Sequence, residues 1–513
     1  MATSALPIEL VLPDGADPAA LIRLLTEQFD VTEDRASRAD RTFLDTFDRR
    51  LRAAGLVLER RRSTLTLLEP GAPPRTADMD RAGNGPDRLL ASELPPGPLR
   101  ARLAPVLDMR ALLPEVRVRS RIRTLRVRNA DDKTVVRLSL ELPEVVVRGH
   151  DPVPLAARLI VTPVRGYERA LARVVASMHG RAGLPRAQRT LVDQAVAASR
   201  PLTGSEPPPF KPATQPSAPA DHAALAVCRS LADVVDANLP GTLDDLDTEF
   251  LHDLRVAVRR TRSVLREMKG ALPPQDRERF RNELRWVQQV TGPTRDLDVQ
   301  LLEWPDFTAA VPPAAAADLA PLRDLLAARR TAAFRAMGRS LRGKRFRESW
   351  AAWRAFLDQP LGAGSTRPIR DVAAERIVTV HRSMIRQGRT IDDTSPDEEL
   401  HDLRKRGKEL RYLLELFGDL FSRAVVKDMV VALKGLQDVL GRFQDRATQA
   451  TFLRELGPEL AALPRGPDAL LALGGVIDRL VADQDEARRA FAQRFAVFAA
   501  PDQRAMVKAT FPR

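Results

Sequence analysis

The sequence predicts an α+β multidomain chain: a β-rich, antiparallel N-terminal domain, then an all-α C-terminal domain of two similar bundles. Three observations predict it. Side chains from Arg117 to Leu125 (RVRSRIRTL) alternate with period two, as in a strand with one buried face. Beyond residue 220 nearly every stretch is rich in Leu, Ala, Arg and Glu at period 3.6, as in amphipathic helices. Finally, the helical part repeats itself at a fixed offset.

Length and composition set the bounds. At 513 residues and 56.8 kDa the chain has room for about three domains of ordinary size. Hydrophobic residues make up 44% and charged residues 29%, so substantial cores are feasible and wholesale disorder is excluded. Aromatics are only 5% while prolines number 40, which points to helical layers broken at proline-marked turns. No apolar run approaches the roughly 20 residues that span a bilayer. The opening MATSALPIELVLPDG has neither the basic start nor the apolar stretch of a secretion signal. Cys228 is the single cysteine, which excludes disulfide frameworks, zinc clusters and CxxC redox chemistry. A cytoplasmic, reducing location is the expectation.

The net charge is +13 and the isoelectric point about 10.5, a balance that favours a polyanionic partner: nucleic acid, anionic lipid or a phosphate polymer. Residues 1–200 carry a net +8 and the remainder +5. The second part is nearly balanced, so an anion site there must come from patterning.

In chain order, residues 1–199 hold strands over Arg117–Leu125 and over the Val- and Leu-rich Thr134–Val147, then an amphipathic helix over Arg169–Met178. Residues 200–220, RPLTGSEPPPFKPATQPSAPA, have no apolar period and read as a semi-rigid, Pro-rich linker. Residues 221–505 are helical. Within them LHDLRVAVRRTRSVL, from Leu251, reappears as LHDLRKRGKELRYLL, from Leu400, at an offset of 149 residues. The same offset carries Arg285 to Lys434, Gly292 to Gly441 and Asp296 to Asp445. An unbroken register from the first helix to a Gly-x-x-x-Asp turn indicates duplication, and hence two bundles related by a pseudo-two-fold axis.

Each repeat carries a cationic stripe beside its buried seam. Leu251, Leu254, Val258, Thr261, Leu265 and Met268 fall at steps of three and four, one side of a helix that must face a core. One residue further round come His252, Arg255, Arg259, Arg262 and Arg266. In the second repeat Leu400, Leu403, Gly407, Leu410, Leu414 and Phe417 make the apolar side, and His401, Arg404, Lys408 and Arg411 the cationic one. Like charges three or four apart cost a few tenths of a kcal/mol per pair. A multivalent anion removes that cost, and guanidinium forks suit phosphate oxygens. The competing reading is a solvated helix face whose charges are met by local acids such as Glu409 and Glu415. Recurrence of the stripe in register, each time headed by histidine, favours the anion site.

These motifs (HDLRVAVRRTR, RDLDV, LHDLRKRGKELRY and the LQDVLG turn) resemble the CHAD family, the conserved-histidine α-helical domains, over about residues 221–505. The resemblance implies two pseudo-symmetric four-helix bundles with basic grooves that bind inorganic polyphosphate. By motif, the binding set is His252, Arg255, Arg259, Arg260 and Arg262 in the first repeat and His401, Arg404, Lys405, Lys408, Arg411 and Tyr412 in the second. Arg285 and Lys434 are implied contributors from the following helices, and helical spacing adds Arg266. Tyr412 reads equally as a core aromatic with its hydroxyl at the rim, and Asp296 and Asp445 as tethers of the turn rather than anion contacts.

Residues 1–199 resemble the CYTH, or triphosphate-tunnel, family through FLDTFDRRLRAAGLVLERRR, the strand Arg117–Arg128 and GLPRAQRTLVDQAV. The resemblance implies an antiparallel, tunnel-like β domain, but a degenerate one. The family's opening Glu-x-Glu-x-Lys strand is Pro7, Glu9, Val11 here, and its later acidic strand falls on Ile160, Thr162 and Val164. Metal-assisted phosphoryl chemistry needs clustered carboxylates, and Glu9 with Glu141 is a poor ligand set. What persists is basic: Arg61, Arg117, Arg119, Arg121 and Arg123. These either line a tunnel that still holds an anion or form a solvent-facing arginine edge.

No nucleophile with a base and no phosphate-loop motif is present. His381, on the Arg-rich helix HRSMIRQGR, reads either as an extension of the groove or, with more weight, as packing or solvation, and His150, His179 and His222 sit in turns or helix ends. The expected function is therefore non-catalytic binding of inorganic polyphosphate, with no cofactor and no metal, and with polyphosphate granules as a possible destination. The alternatives are a metal-dependent triphosphatase in the N-terminal domain, and nucleic-acid or ribosome binding through the stripes. The stripes lack the interleaved aromatics that stack bases.

Overall fold

The strand expected at residues 117–125 lies within a 17-residue strand, Leu112–Arg128, at the centre of the N-terminal unit; its buried side chains alternate from Val116 to Ser120 and change face at Leu125 and Val127. The computed structural model describes residues 7–13, 15–79, 88–203, 214–268, 272–359 and 367–511. Contacts divide the chain into two units, residues 1–207 and 208–513.

The first unit contains β1 (Ile8–Val11), α1 (Pro18–Gln28), β2 (Val31–Glu33), β3 (Ser37–Thr46), α2 (Arg50–Ala53), β4 (Val57–Arg61), β5 (Thr64–Leu68) and β6 (Arg75–Asp78). There follow α3 (Pro98–Leu107), β7 (Leu112–Arg128), β8 (Thr134–Val146), β9 (Val153–Pro154), β10 (Arg158–Pro163), α4 (Glu168–Ala182) and α5 (Leu191–Thr203). The strands form one antiparallel sheet in the order β1-β10-β8-β7-β3-β4-β5-β6, with β2 on β7 and β9 on β8. Both expected strands and the expected helix are present.

Register assigns the two faces. One carries Leu10, Leu138, Leu140, Leu159 and Val161 beneath α1 and α4. The other carries Val116, Val118 and Val145 beneath α5, through Val192, Ala195 and Val196. Each such side chain stabilises the fold by about 1.5–3 kcal/mol when fully buried. Asp17 starts α1 by accepting hydrogen bonds from the Ala19 and Ala20 amides at 2.8 and 3.1 Å. Gly183, at φ 64°, ends α4 in the left-handed conformation that glycine adopts without strain.

The second unit is helical: α6 (Ala220–Leu243), α7 (Thr248–Glu267), α8 (Pro274–Leu302), α9 (Trp304–Ala309), α10 (Pro313–Ala316) and α11 (Ala320–Arg342). It continues with α12 (Lys344–Asp358), α13 (Ile369–Gly388), α14 (Asp397–Phe417), α15 (Arg423–Ala461), α16 (Gly466–Phe498) and α17 (Pro501–Thr510). One core joins α6, α7, α13 and α14 to the first halves of α8 and α15 and to the end of α16. A second joins the end of α8 to α9, α11, α16 and the second half of α15. No helix among the described residues is long and apolar enough to cross a membrane.

Two expectations are corrected here. The Gly-x-x-x-Asp segments are not turns: Gly292 and Asp296 lie inside α8, and Gly441, Asp445 and the LQDVLG run lie inside α15. Prolines likewise fail to mark every break, since Pro240, Pro293 and Pro458 sit within helices. An interior proline costs about 3 kcal/mol in an isolated helix. Around Pro293 the fully buried Thr291 and Thr294 show that packing carries the helix through. Of the expected Pro-rich linker, residues 204–213 lie outside the described residues; α5 runs to Thr203 and α6 starts at Ala220.

Candidate functional site

The duplicated stripes lie on α7 and α14. Asp247 caps α7 by accepting from the amides of Glu249 and Phe250 at 2.9 and 3.1 Å. Glycine is required at Gly241, because a Cβ there would collide with the Phe250 ring that packs α7 against α6. In the second repeat, Asp397, Glu398 and Glu399 occupy the first turn of α14 and meet the positive end of its dipole. All twelve residues of the two expected apolar sides are buried. That burial fixes the rotation of each helix and leaves the cations along the edge of the seam.

The two helices touch, and the contacts run through the stripes. Arg260 pairs with Glu415 at 2.6 Å, and Glu415 also accepts from Arg411 at 2.6 Å. Arg266 reaches Glu267 at 2.5 Å and Glu409 at 3.3 Å. The Arg259 guanidinium stands 5.9 Å from the centre of the Tyr412 ring. Tyr412 is half-buried, and burial pushes its hydroxyl above the ordinary tyrosine range.

Equivalent arginines do equivalent work. Arg255 donates to the Gln288 carbonyl at 2.8 Å and to the Thr291 hydroxyl at 2.7 Å, over Gly292. Its counterpart Arg404 donates to Asp445 at 2.7 Å, over Gly441. Each ties its stripe helix to the next helix, α7 to α8 and α14 to α15. Asp296 and Asp445 therefore tether no turn; they are mid-helix acids facing Arg255 and Arg404. Burial lifts the Asp296 carboxyl above its usual range, with Arg255 and Arg295 opposing. Lys405 pairs with Asp402 at 2.9 Å, and Arg262 donates to the Gln288 side-chain oxygen.

Four stripe or neighbouring cations are different. Among the described residues, Arg259, Lys408, Arg285 and Lys434 make no ion pair, and they are two repeat-equivalent pairs: Arg259 with Lys408, Arg285 with Lys434. Burial first, then the charges of Arg404 and Arg259, bring the Lys408 ammonium down to about 8. The Arg259 Nε is buried with no hydrogen-bond partner, as is the His401 Nδ1. His252 is half-buried at the matching place on α7.

Gln288 and Gln437 are site residues that the sequence reading passed over. They occupy equivalent places, Gln288 beneath Arg255 and Arg262 and Gln437 against Gly407, where both amide atoms of Gln437 are buried without partners. The 149-residue offset maps one onto the other and could have found them.

In the first unit the arginine strand faces away from the polar interior. Arg117, Arg119, Arg121 and Arg123 share their face of β7 with Leu125 and Val127, beyond the edge of the α1 and α4 layer. Arg117 pairs with Asp40 at 2.5 Å, Arg119 with Glu144 at 3.5 Å and Arg123 with Glu33 at 2.7 Å. These four are thus an outward, largely paired arginine edge and not a tunnel lining. The opposite face carries a polar row across six strands, charged on five of them and completed by the Ser120 hydroxyl on β7. Arg41 on β3 meets Glu141 on β8 and, at 2.8 Å, Ser120 on β7. Arg158 on β10 holds Glu9 on β1 at 2.6 Å, and Arg61 holds Glu59 on β4 at 3.0 Å. Each acid of the row is already met by an arginine. Among the described residues, no three His, Cys, Asp or Glu side chains are grouped to hold a metal ion, so the donor set does not fit the divalent metal that the tunnel resemblance implies.

Comparison with known proteins agrees with the helical part. Residues 226–454 match the family model of the CHAD domain. Among solved structures, the CHAD domain from the plant Ricinus communis is similar over 56% of this chain and 96% of its own, at 23% identity and a TM-score of 0.47. PptA from Streptomyces chartreusis covers 54% of this chain and 99% of its own, at 20% identity and a TM-score of 0.42. A Hippeastrum protein named as an adenylyl cyclase, with a dominant triphosphatase activity, covers 37% of this chain and 95% of its own, at 17% identity and a TM-score of 0.26. No curated protein matches. Residues 226–454, which carry both stripes and the helix pairs that hold them, belong to the CHAD domain family.

Proposed function

We propose that this protein binds inorganic polyphosphate, without hydrolysing it, in a basic groove between α7 and α14. The observation that carries the reading is the Arg259 and Lys408 pair. Both occur at the same place in their repeats, neither makes an ion pair among the described residues, and their charges raise each other's energy. A chain of phosphates laid along the contact would relieve that repulsion and accept charge-assisted hydrogen bonds from both. Arg285 and Lys434, exposed on α8 and α15, extend the same cationic lane. The seven engaged cations (Arg255, Arg260, Arg262, Arg266, Arg404, Lys405 and Arg411) would then set the shape of the groove, with Arg411 and Lys405 exposed enough to exchange acid for phosphate.

Binding rather than hydrolysis is favoured because Glu9, Glu59 and Glu141 in the first unit are held by arginines instead of being free to hold a metal. The test is titration with polyphosphate of defined length at two salt concentrations. Saturable binding that weakens at high salt is expected, and no saturable binding at moderate salt rejects the reading. Turnover of tripolyphosphate with magnesium or manganese that is abolished by Glu9→Gln would replace it with an enzymatic one.

A further inference from the structure

A second cationic cavity lies away from the stripes, between α13 and α17. It has a volume of about 380 Å³. Its rim carries Arg382 and Arg386 on α13, Arg389 just past the end of α13, and Arg504 and Lys508 on α17, all exposed. Among the described residues none of the five makes an ion pair. The contrast with Arg376 is sharp: two turns earlier on α13, it is bound to Glu267 at 2.5 Å. Arg382 and Arg386 are spaced i, i+4, as are Arg504 and Lys508, so each helix alone holds like charges at neighbouring positions. Both rows line the same cavity, which brings the two sets of like charge together at its mouth.

The floor is different in kind. Val378, Ile385 and Val507 form it, each less than one-tenth exposed, together with the buried imidazole of His381. His381 rests on the Phe498 ring at 5.2 Å between centres, and burial brings it down to about 4, so it is neutral at physiological pH. The charge around the mouth therefore comes from the five rim cations, and the base of the cavity is apolar with one neutral polar ring. An inorganic phosphate chain would use the rim and leave the floor empty. A hollow of this size lies within the range of small-molecule sites. α17 is outside the 226–454 stretch of the CHAD match, so half of this cavity is built by a segment the family model does not include.

We propose that this cavity binds a small, multiply charged phosphate ester of mononucleotide size, its phosphates on the five rim cations and its ring or apolar group on the Val378, Ile385 and Val507 floor. The probe is adenosine triphosphate, titrated by calorimetry into the full chain carrying Arg259→Glu and Lys408→Glu, so that the α7–α14 stripes are disabled. Saturable binding of one equivalent is expected, with inorganic tripolyphosphate binding more weakly. Adding Arg386→Glu and Lys508→Glu is expected to weaken adenosine triphosphate at least tenfold, with the circular dichroism spectrum and melting temperature preserved. If those reversals impair folding, Arg382→Gln with Arg504→Gln carries the same test. The proposal is overturned if adenosine triphosphate does not saturate, if it binds equally well after the rim variants, or if tripolyphosphate binds as tightly as the nucleotide.

Discussion

Arg259 and Lys408 stand at equivalent positions of a duplicated helix, on two helices that touch, and among the described residues neither has a carboxylate partner. Arg260, Arg266, Arg404 and Lys405 are instead neutralised by Glu415, Glu409, Asp445 and Asp402, and Arg255 and Arg262 are satisfied by Thr291 and Gln288. On the proposed reading, Arg259→Glu or Lys408→Glu alone weakens polyphosphate binding about tenfold, equivalent to about 1.4 kcal/mol. Each also flattens the dependence of log affinity on log salt by about one, the signature of a lost cation–phosphate contact. Arg339→Glu, on an exposed helix face elsewhere, should change neither. Fluorescence titration at three salt concentrations checks both outcomes.

Lys408 gives that binding a pH dependence. Its ammonium titrates at about 8 because burial and neighbouring arginines disfavour the charged form. Raising the pH through 8 therefore removes a cation from the contact, and polyphosphate affinity falls between pH 7 and pH 9. The unliganded fold responds oppositely. The unfolded lysine keeps its proton up to its ordinary range, so stability rises as the pH goes from about 8 towards 10.5. Lys408→Arg, charged throughout, should abolish both trends in parallel titrations and melts.

The register of the stripes was legible in the sequence because helical period and a 149-residue offset are local facts. All twelve predicted seam residues are buried. Which cations stay unpaired was not legible, since Glu415 reaches Arg260 only once α14 is packed on α7, 155 residues away in the chain. Gly292 and Gly441 read as turn signals, and tertiary packing kept both inside long helices. In the first unit period two revealed the Arg117–Arg123 face but not its direction. The polar interior draws Glu9, Arg41, Glu59, Glu141 and Arg158 from five strands, and only strand register brings them together.

Glu267 and Glu409, behind the stripes, form a carboxyl pair within reach of Arg266 and Arg376. Burial, and then the adjoining Glu267, push the Glu409 carboxyl up to about 7. Glu267 is held below its usual range by Arg376 and Arg266, against a large opposing effect of burial. The pair thus shares one proton, carried by Glu409. A carboxyl raised in the folded state contributes stability that is complete below its ordinary pKa and is lost as pH rises through 7. Glu409→Gln keeps a hydrogen-bond donor without the titration. It should melt with the parent at pH 5 and several degrees above it at pH 8, whereas Glu267→Gln should melt lower at both.

The Arg41–Glu141 pair in the first unit makes the opposite kind of prediction. Its side chains are 7% and 2% exposed, and Ser120 donates to Glu141 at 2.5 Å, so the charges compensate each other in a dry setting. Burial brings Arg41 down to about 10 even so, with Glu59 and Glu9 opposing the shift. Removing one partner strands the other: Glu141→Ala should destabilise this unit by about 3–5 kcal/mol. Pairing it with Arg41→Met should recover most of the loss, because two uncharged side chains leave nothing unsatisfied except the Ser120 hydroxyl. Neither change should alter polyphosphate affinity if binding resides in α7 and α14. Denaturant melts beside polyphosphate titrations of the single and double variants separate the two effects, and a loss of affinity in the refolded double variant would move part of the site into the β unit.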